Sequence, residues 1–124
     1  MYKRQALAEA FADKVAASEM KVIALQSSRM GSIADNGSGG GYGYRASKAA
    51  LNAIGKSLSL DLKDKGIVVV ILHPGWVKTA MGGPNGQLTV PEAVSGQLDL
   101  LARAFKNPAM SGRFFHVSGQ DLPW

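Results

Sequence analysis

A tyrosine and a lysine stand four positions apart in the segment Tyr44-Arg45-Ala46-Ser47-Lys48. Residues at i and i+4 share one face of an α-helix, so a helix here would place the phenol beside the ammonium group. An ammonium near a phenol favours the phenolate, which suits the pair to proton transfer in carbonyl or alcohol chemistry. The spacing alone is weak evidence, because most such pairs form a solvated helix face. The elements around the pair therefore decide its interpretation.

Periodicity and turn residues predict helices alternating with strands in the order α-β-α-β-α-β. In the first helix, Leu7, Phe11 and Val15 form the apolar line of an amphipathic helix, and Thr89 with Glu92 predicts a capping box at the start of the third. The predicted helices cover residues 4–18, 42–65 and 90–105, and the predicted strands cover 22–26, 67–72 and 113–117. This alternation is typical of parallel, right-handed crossover units.

The strand predicted over residues 67–72 is apolar throughout, which indicates that it is covered on both faces. Three strands make a thin α/β domain, and fully apolar strands should not lie at a sheet edge. We therefore predict an α/β fold for residues 1–124 that forms the second half of a larger parallel sheet.

The composition excludes several functional classes. The 124-residue chain is 46% hydrophobic and 19% charged, which is ordinary for one globular domain. It has no cysteine, no apolar run long enough for a membrane span, and a charged start unlike a signal peptide, so we expect a cytoplasmic protein without a membrane partner. The net charge of +5 is scattered along the sequence, so we expect no nucleic-acid partner.

Two other patterns are weaker than they first look. Gly41 to Ala46 fits the dinucleotide fingerprint G-x-G-x-x-A, and Asp61 follows at a suitable distance, but a long polar loop precedes the glycines where a strand is required. His73 and His116 are too isolated for a metal site, so we predict none and interpret them as strand-end histidines with satisfied hydrogen bonds.

Three motifs occur in order between buried strand, long helix and buried strand. They are Ser27-Ser28, the tyrosine–lysine segment 44–48, and His73-Pro-Gly-Trp-Val-Lys-Thr79. Together they resemble the short-chain dehydrogenase/reductase family. The segments 29–35, 38–42 and 111–115 and the ending Leu122-Pro-Trp resemble its C-factor and sniffer-type carbonyl reductase branch.

The resemblance implies a catalytic role for three residues. Tyr44 would be the general acid/base, Lys48 would assist it and hydrogen-bond the nicotinamide ribose, and Ser28 would polarise the substrate carbonyl. Tyr44 and Lys48 would thus both border the cofactor. The serine stands further before the tyrosine than is usual in the family, so Ser27 remains an alternative and Ser32 a weaker one.

The resemblance also implies cofactor contacts after the second strand. Pro74, Gly75, Trp76 and Val77 resemble the turn that contacts the nicotinamide carboxamide, and Thr79 would lie near the pyrophosphate. The implied cofactor is NADP or NAD, and the implied substrate is a small carbonyl compound or alcohol. The resemblance does not identify the substrate.

The chain departs from the family where the adenosine and pyrophosphate should bind. The family's glycine-rich strand-turn-helix and its Asn-Ala-Gly segment have no counterpart here, so we expect very weak cofactor binding and no activity from these residues alone. The resemblance implies that residues 1–124 are the C-terminal portion of a doubly wound, parallel, Rossmann-like fold, and the main hypothesis is a partial NAD(P)-dependent oxidoreductase domain. It also implies a homo-oligomer formed through helices 4–18 and 42–65. The alternative is a non-catalytic remnant that acts as a dimerisation or assembly module.

Overall fold

The computed structural model describes residues 2–124 as one parallel sheet with helices on both faces. The helices are α1 (Tyr2–Ala17), α2 (Tyr42–Asp61) and α3 (Val90–Ala104), and the strands are β1 (Val22–Gln26), β2 (Val68–His73) and β3 (Arg113–His116). Short 3₁₀ turns occupy Arg29–Gly31, Lys63–Lys65 and Pro108–Met110.

The three strands are parallel and lie in the order β1-β2-β3. In the register, Ile71 of β2 stands beside Leu25 of β1 and Phe114 of β3. The central strand is the most apolar one, and Val69, Val70 and Ile71 are completely buried. The predicted α/β class with three parallel strands and three helices is therefore confirmed.

Alternate residues of β2 serve two hydrophobic clusters, one on each face of the sheet. Val69 and Ile71 pack with residues of α1 and α2, whereas Val68, Val70 and Leu72 pack with residues of α3 and the 3₁₀ turn at Pro108–Met110. This double burial explains why the strand is apolar at every position. It also fixes α2 on one side of the sheet and α3 on the other.

Most predicted boundaries are correct to within a few residues. β1 agrees throughout, and the capping box of α3 is present, with the Thr89 amide donating to Glu92 Oε2 over 2.7 Å. The helix predicted over 42–65 is wrong at its end: α2 stops at Asp61, and a 3₁₀ turn over Lys63–Lys65 follows, with Gly66 as its C-cap at φ 70°. The strand predicted over 67–72 begins and ends one residue later.

The predicted face of α1 is wrong. Leu7 is 58% exposed and Phe11 is 51% exposed, whereas Ala8 and Ala12 are buried. The alanines also repeat at four-residue spacing, and their small side chains let the helix pack in the same cluster as Leu58 of α2. Leu7 and Phe11 therefore face outward, whereas Val15, the third residue of the predicted line, is partly buried against the same cluster.

No helix within residues 2–124 has the length and hydropathy needed to cross a membrane.

Candidate active site

The candidate site lies at the carboxyl ends of β1 and β2. The Ser27 amide donates to the Leu72 carbonyl over 2.7 Å, which extends the pairing of the two strands by one residue. Ser28 follows directly, and His73 ends the neighbouring strand. Open α/β sheets bind ligands outside this edge, because the loops that leave the strands converge there.

Tyr44 and Lys48 lie on one face of α2, as their spacing predicts. The Lys48 Nζ atom is 5.6 Å from the centre of the Tyr44 ring, and Tyr44 is 43% exposed. The same Nζ donates a long hydrogen bond of 3.5 Å to the carbonyl of Gln26, the last residue of β1. The lysine therefore reaches from α2 to the strand end beside Ser28.

The three candidate serines differ in the use of their hydroxyl groups. Ser27 is buried and donates to Asn52 Oδ1 over 2.6 Å, so its proton is engaged. Ser28 accepts from the Met30 amide over 3.2 Å, and Ser32 accepts from a backbone amide over 3.0 Å. Within residues 2–124, neither of these two hydroxyls has an acceptor for its own proton. Ser28 is the one of the two that adjoins the strand end.

A close backbone approach holds the turn after Ser28 against α2. A Cβ atom at Gly31 would lie 2.8 Å from the carbonyl carbon of Lys48 and 2.8 Å from its Cβ, so a larger residue would push the two segments apart. Glycine thus lets the 3₁₀ turn rest directly on the helix at the lysine. On the solvent side, Arg29 forms an ion pair with Asp35, and that hydrogen bond lowers the pKa of the Asp35 carboxyl.

The turn after β2 is closed by hydrogen bonds of its own. The Trp76 indole Nε1 donates to the Gly82 carbonyl over 2.7 Å, and Thr79 Oγ1 accepts from the Gly82 amide over 3.1 Å. Val77 pairs with Leu88 in an isolated bridge. Trp76 nevertheless remains 49% exposed, so one large aromatic surface at this edge is open to a ligand.

Two histidines end β2 and β3 side by side, with ring centres 5.4 Å apart. The Ser118 amide donates to His116 Nδ1 over 3.1 Å, whereas His73 Nδ1 is buried without a partner among residues 2–124. The prediction of a satisfied histidine is therefore wrong for His73. The pKa of His73 is lowered to about 4, mainly by burial and then by the charges of His116 and Arg29, so the ring is neutral near pH 7.

The glycines at the start of α2 do not form a dinucleotide fingerprint. Gly41 is the N-cap of α2 in the left-handed region, and the residues between β1 and Gly41 form a loop containing only a 3₁₀ turn. Asp61 ends the same helix instead of a second strand. Within residues 2–124, no group of three or more His, Asp or Glu side chains is arranged to hold a metal ion.

Sequence patterns missed two residues that organise the site. Asn52 lies one turn beyond Lys48 on α2, is buried, and accepts the hydrogen bond from Ser27. A polar residue on the apolar side of a predicted helix was the available signal. Arg45 binds the loop before α2 through its guanidinium, and no hydrophobic periodicity could have identified it.

Together the site offers a phenol, an ammonium and a hydroxyl at one sheet edge, which can hold a carbonyl oxygen and exchange a proton with it.

Comparison with known proteins places these residues in a family. The family model for short chain dehydrogenase matches residues 27–88. The C-signal of Myxococcus xanthus is 50% identical over 105 residues, which are 85% of this chain and 62% of C-signal. The carbonyl reductase Sniffer of D. melanogaster superposes with a TM-score of 0.79 at 44% identity, over 83% of this chain and 41% of that protein. The NADPH-bound carbonyl reductase from chicken fatty liver gives a TM-score of 0.85 at 35% identity, over 95% and 51%.

The chain spans less than two thirds of the length of each of these relatives. The matched range 27–88 nevertheless contains all three sequence motifs, from the serines through Tyr44 and Lys48 to the turn after β2. The similarity to C-signal and to Sniffer confirms the branch that the sequence resembles. The chain belongs to the short-chain dehydrogenase family.

Proposed function

We propose that this chain is the proton-transfer part of an NAD(P)-dependent oxidoreductase that interconverts small carbonyl compounds and alcohols. The observation that carries the proposal is the position of Tyr44 and Lys48 on one face of α2, with the lysine reaching the end of β1 beside Ser28. Family membership supports it, because the matched residues 27–88 include this arrangement.

Each of the three side chains has a distinct role in the proposed reduction. The Tyr44 hydroxyl donates its proton to the substrate oxygen, and the Lys48 ammonium stabilises the phenolate that remains. The Ser28 hydroxyl, whose proton has no acceptor within residues 2–124, donates a hydrogen bond to the same oxygen and holds the carbonyl in place. Alcohol oxidation runs the same proton transfers in reverse.

The residues at this edge fit the nicotinamide end of a dinucleotide. Lys48 offers an ammonium for the ribose, and the turn Pro74–Val77, which follows His73 in the chain, carries the exposed Trp76. Bound there, the cofactor supplies or accepts the hydride. NADP is the favoured form because the similar chicken reductase is described as NADPH-bound, and NAD is the alternative.

We further propose that the adenosine and pyrophosphate are bound by a polypeptide segment outside these residues. Within residues 2–124 no glycine-rich turn joins a strand directly to a helix N-terminus, which is the usual phosphate site in this class of fold. The partial coverage of the relatives supports the proposal. The 124-residue chain should then bind dinucleotide very weakly by itself.

The test uses a chimera in which the part of C-signal that this chain does not match is fused before this chain. We expect Tyr44→Phe to lower kcat for reduction of a small aromatic aldehyde by about 100-fold or more, because it removes only the proton donor. Tyr42→Phe is the matched control, since Tyr42 is 86% exposed at the start of the same helix. Equal activity of the two variants would contradict the role of Tyr44.

A second candidate function is self-assembly through α1 and α2. Leu7 and Phe11 of α1 are more than half exposed. A groove of about 510 Å³ between the two helices is lined by Gln5 and Glu9 of α1 and by residues of α2 that include Ile54 and Leu58. We propose that a second copy of the chain covers the exposed apolar side chains of α1 and this groove, as exposed apolar patches favour association. The homo-oligomer would form with or without catalysis.

Light scattering on the isolated chain separates this candidate from a monomer. Leu7→Ser combined with Phe11→Ser should shift the population toward monomer. The control is Leu98→Ser on α3, because Leu98 is 61% exposed but lies on the helix that covers the opposite face of the sheet. A wild-type chain that is monomeric at all concentrations would contradict assembly through this surface.

A further inference from the structure

Arg45, the residue after Tyr44, binds the loop that precedes α2. Its Nε donates to the Gly40 carbonyl over 3.0 Å. Its Nη2 donates to Ser38 Oγ over 3.0 Å and to the Gly39 carbonyl over 3.3 Å. A planar guanidinium presents its donors in a fixed fork, so these contacts define one loop conformation relative to the helix.

The loop that Arg45 binds has a backbone that glycine adopts without strain. Gly39, Gly40 and Gly41 have φ values of 65°, 66° and 60° in succession. The Arg45 amide also donates to the Gly41 carbonyl over 2.8 Å, which begins the hydrogen bonding of α2. Glycines lose much conformational entropy when they are ordered, so a segment of three needs external contacts to stay in one conformation.

Arg45 also contacts the turn that carries Ser28. Its Nη1 donates to the Met30 carbonyl over 3.4 Å. The amide of the same Met30 donates to Ser28 Oγ over 3.2 Å. The Met30 backbone therefore connects the Ser28 hydroxyl to the Arg45 guanidinium. Arg45 directly follows Tyr44 in α2. The contacts thus run from the Ser28 hydroxyl through Met30 to Arg45, which is joined to Tyr44 by the backbone of α2.

We propose that Arg45 is a positioning residue that sets the separation of the Ser28 and Tyr44 hydroxyls. The inference rests on the proposed function of those two residues. Arg45 ties together the glycine loop, the Ser28 turn and the first turn of α2, while Gly31 presses the same Ser28 turn onto α2 at Lys48. Misplacement of a reacting group by about 1 Å can reduce a rate by about 100-fold, so this separation controls kcat.

The first readout is independent of activity. In the 124-residue chain, exchange of the Gly39 and Arg45 amides, which donate to Asn36 Oδ1 and to the Gly41 carbonyl, should become at least about tenfold faster in Arg45→Met, because the loop loses its external contacts. Arg45→Lys should behave similarly, since an ammonium keeps the charge but lacks the planar fork. Arg103→Met, an exposed arginine on α3, should leave this exchange unchanged.

The second readout uses the chimera with C-signal. Arg45→Met and Arg45→Lys should lower kcat at least about tenfold while Kd for NADPH stays within about twofold, because only the separation of the hydroxyls changes. If Arg45→Met does not fold, Ser38→Ala removes a single contact and should shift exchange and kcat in the same direction by less.

The outcomes separate this proposal from the proposed function. If Tyr44→Phe abolishes turnover while Arg45→Met has wild-type kcat, the positioning role is wrong and the proton-transfer role stands. If Tyr44→Phe retains turnover, the proton-transfer role is wrong. Unchanged loop exchange in both Arg45 variants, or a kcat loss matched by an equal loss of NADPH affinity, would also overturn the positioning role.

Discussion

The helices α1 and α2 pack on the same face of the sheet in opposite ways. α2 buries large residues such as Leu51 and Leu58, and its Gly55 lies so near the sheet that an added Cβ would be 2.5 Å from Ile71 Cγ1. α1 fully buries only Ala8 and Ala12, buries Val15 in part, and leaves Leu7 and Phe11 more than half exposed. Two neighbouring helices of similar length therefore differ in how firmly the sheet holds them.

This difference matters for function because α2 carries the reacting groups. A helix locked to β2 by close packing holds Tyr44 and Lys48 at a defined distance from the strand ends. Precise placement of catalytic groups requires such rigid support. α1 carries none of the candidate catalytic residues, and its exposed apolar side chains suit a surface that another molecule or segment covers. Three measurements test or refine this contrast.

The largest effect on stability is expected from truncation of a buried leucine on α2. Leu58→Ala should lower the free energy of unfolding by about 2–5 kcal/mol, because it leaves a cavity in the cluster beneath the helix. Leu7→Ala on α1 should change it by less than about 0.5 kcal/mol, since most of that side chain already contacts water. Urea unfolding measures both. Equal losses would show that α1 is held as firmly as α2.

A smaller effect should separate two glycines within α2. Gly55→Ala should destabilise the fold by about 1–3 kcal/mol, because the new methyl group overlaps Ile71 and approaches Leu25 to 3.1 Å. Gly43→Ala should stabilise it by about 0.5–1 kcal/mol, because nothing lies within 4 Å and alanine favours helix. Thermal unfolding of the pair gives the two signs. A gain in stability from Gly55→Ala would refute the close packing of α2.

The smallest effect is a pH dependence that originates at the end of β2. The pKa of His73 falls from 6.5 to about 4 on folding, so as the pH is lowered the ring takes up a proton in the unfolded chain before it does in the folded one. Stability should be greatest above pH 6.5 and decline as the pH falls toward 4. The α1 carboxyl of Asp13, paired with Lys65, has its pKa lowered below 3.8, so its contribution is lost only in stronger acid.

Urea midpoints at about pH 7 and about pH 5 test this assignment. His73→Gln should remove most of the difference between them, and the remainder should come from His116, whose pKa burial also lowers. The His73 ring is partly exposed, so solvent screens its charge and the change in stability with pH stays modest. If the urea midpoint of His73→Gln fell between the two pH values by as much as that of the wild type, the acid-sensitive group would lie elsewhere.

The sequence predicted the order and type of the elements because their periodicities were distinct. β2 is apolar at each position except its last, and α2 has a continuous apolar line that includes Leu58. The face of α1 could not be predicted, because Leu7 with Phe11 and Ala8 with Ala12 repeat at the same spacing. Only the tertiary environment selects the small pair, since it permits the closer approach to α2 and the sheet.

The site was predictable where one element holds both groups and less so where loops meet. Tyr44 and Lys48 share a helix face by spacing alone, and their proximity is confirmed. The unsatisfied Nδ1 of His73 and the contacts of Arg45 depend on the path of loops, which hydrophobic periodicity does not encode. The catalytic and cofactor roles of Ser28, Tyr44 and the turn after β2 stay predictions.

The central claim is that this chain holds the proton-transfer groups while another segment holds the dinucleotide. The direct measurement compares NADPH oxidation by the 124-residue chain and by the chimera with C-signal, using one small aromatic aldehyde. Positioning of the reactants is worth about 7 kcal/mol or more of the barrier. We therefore predict no measurable turnover for the chain alone and steady turnover for the chimera. Steady oxidation by the chain alone, or none by a folded chimera that binds NADPH, would contradict the claim.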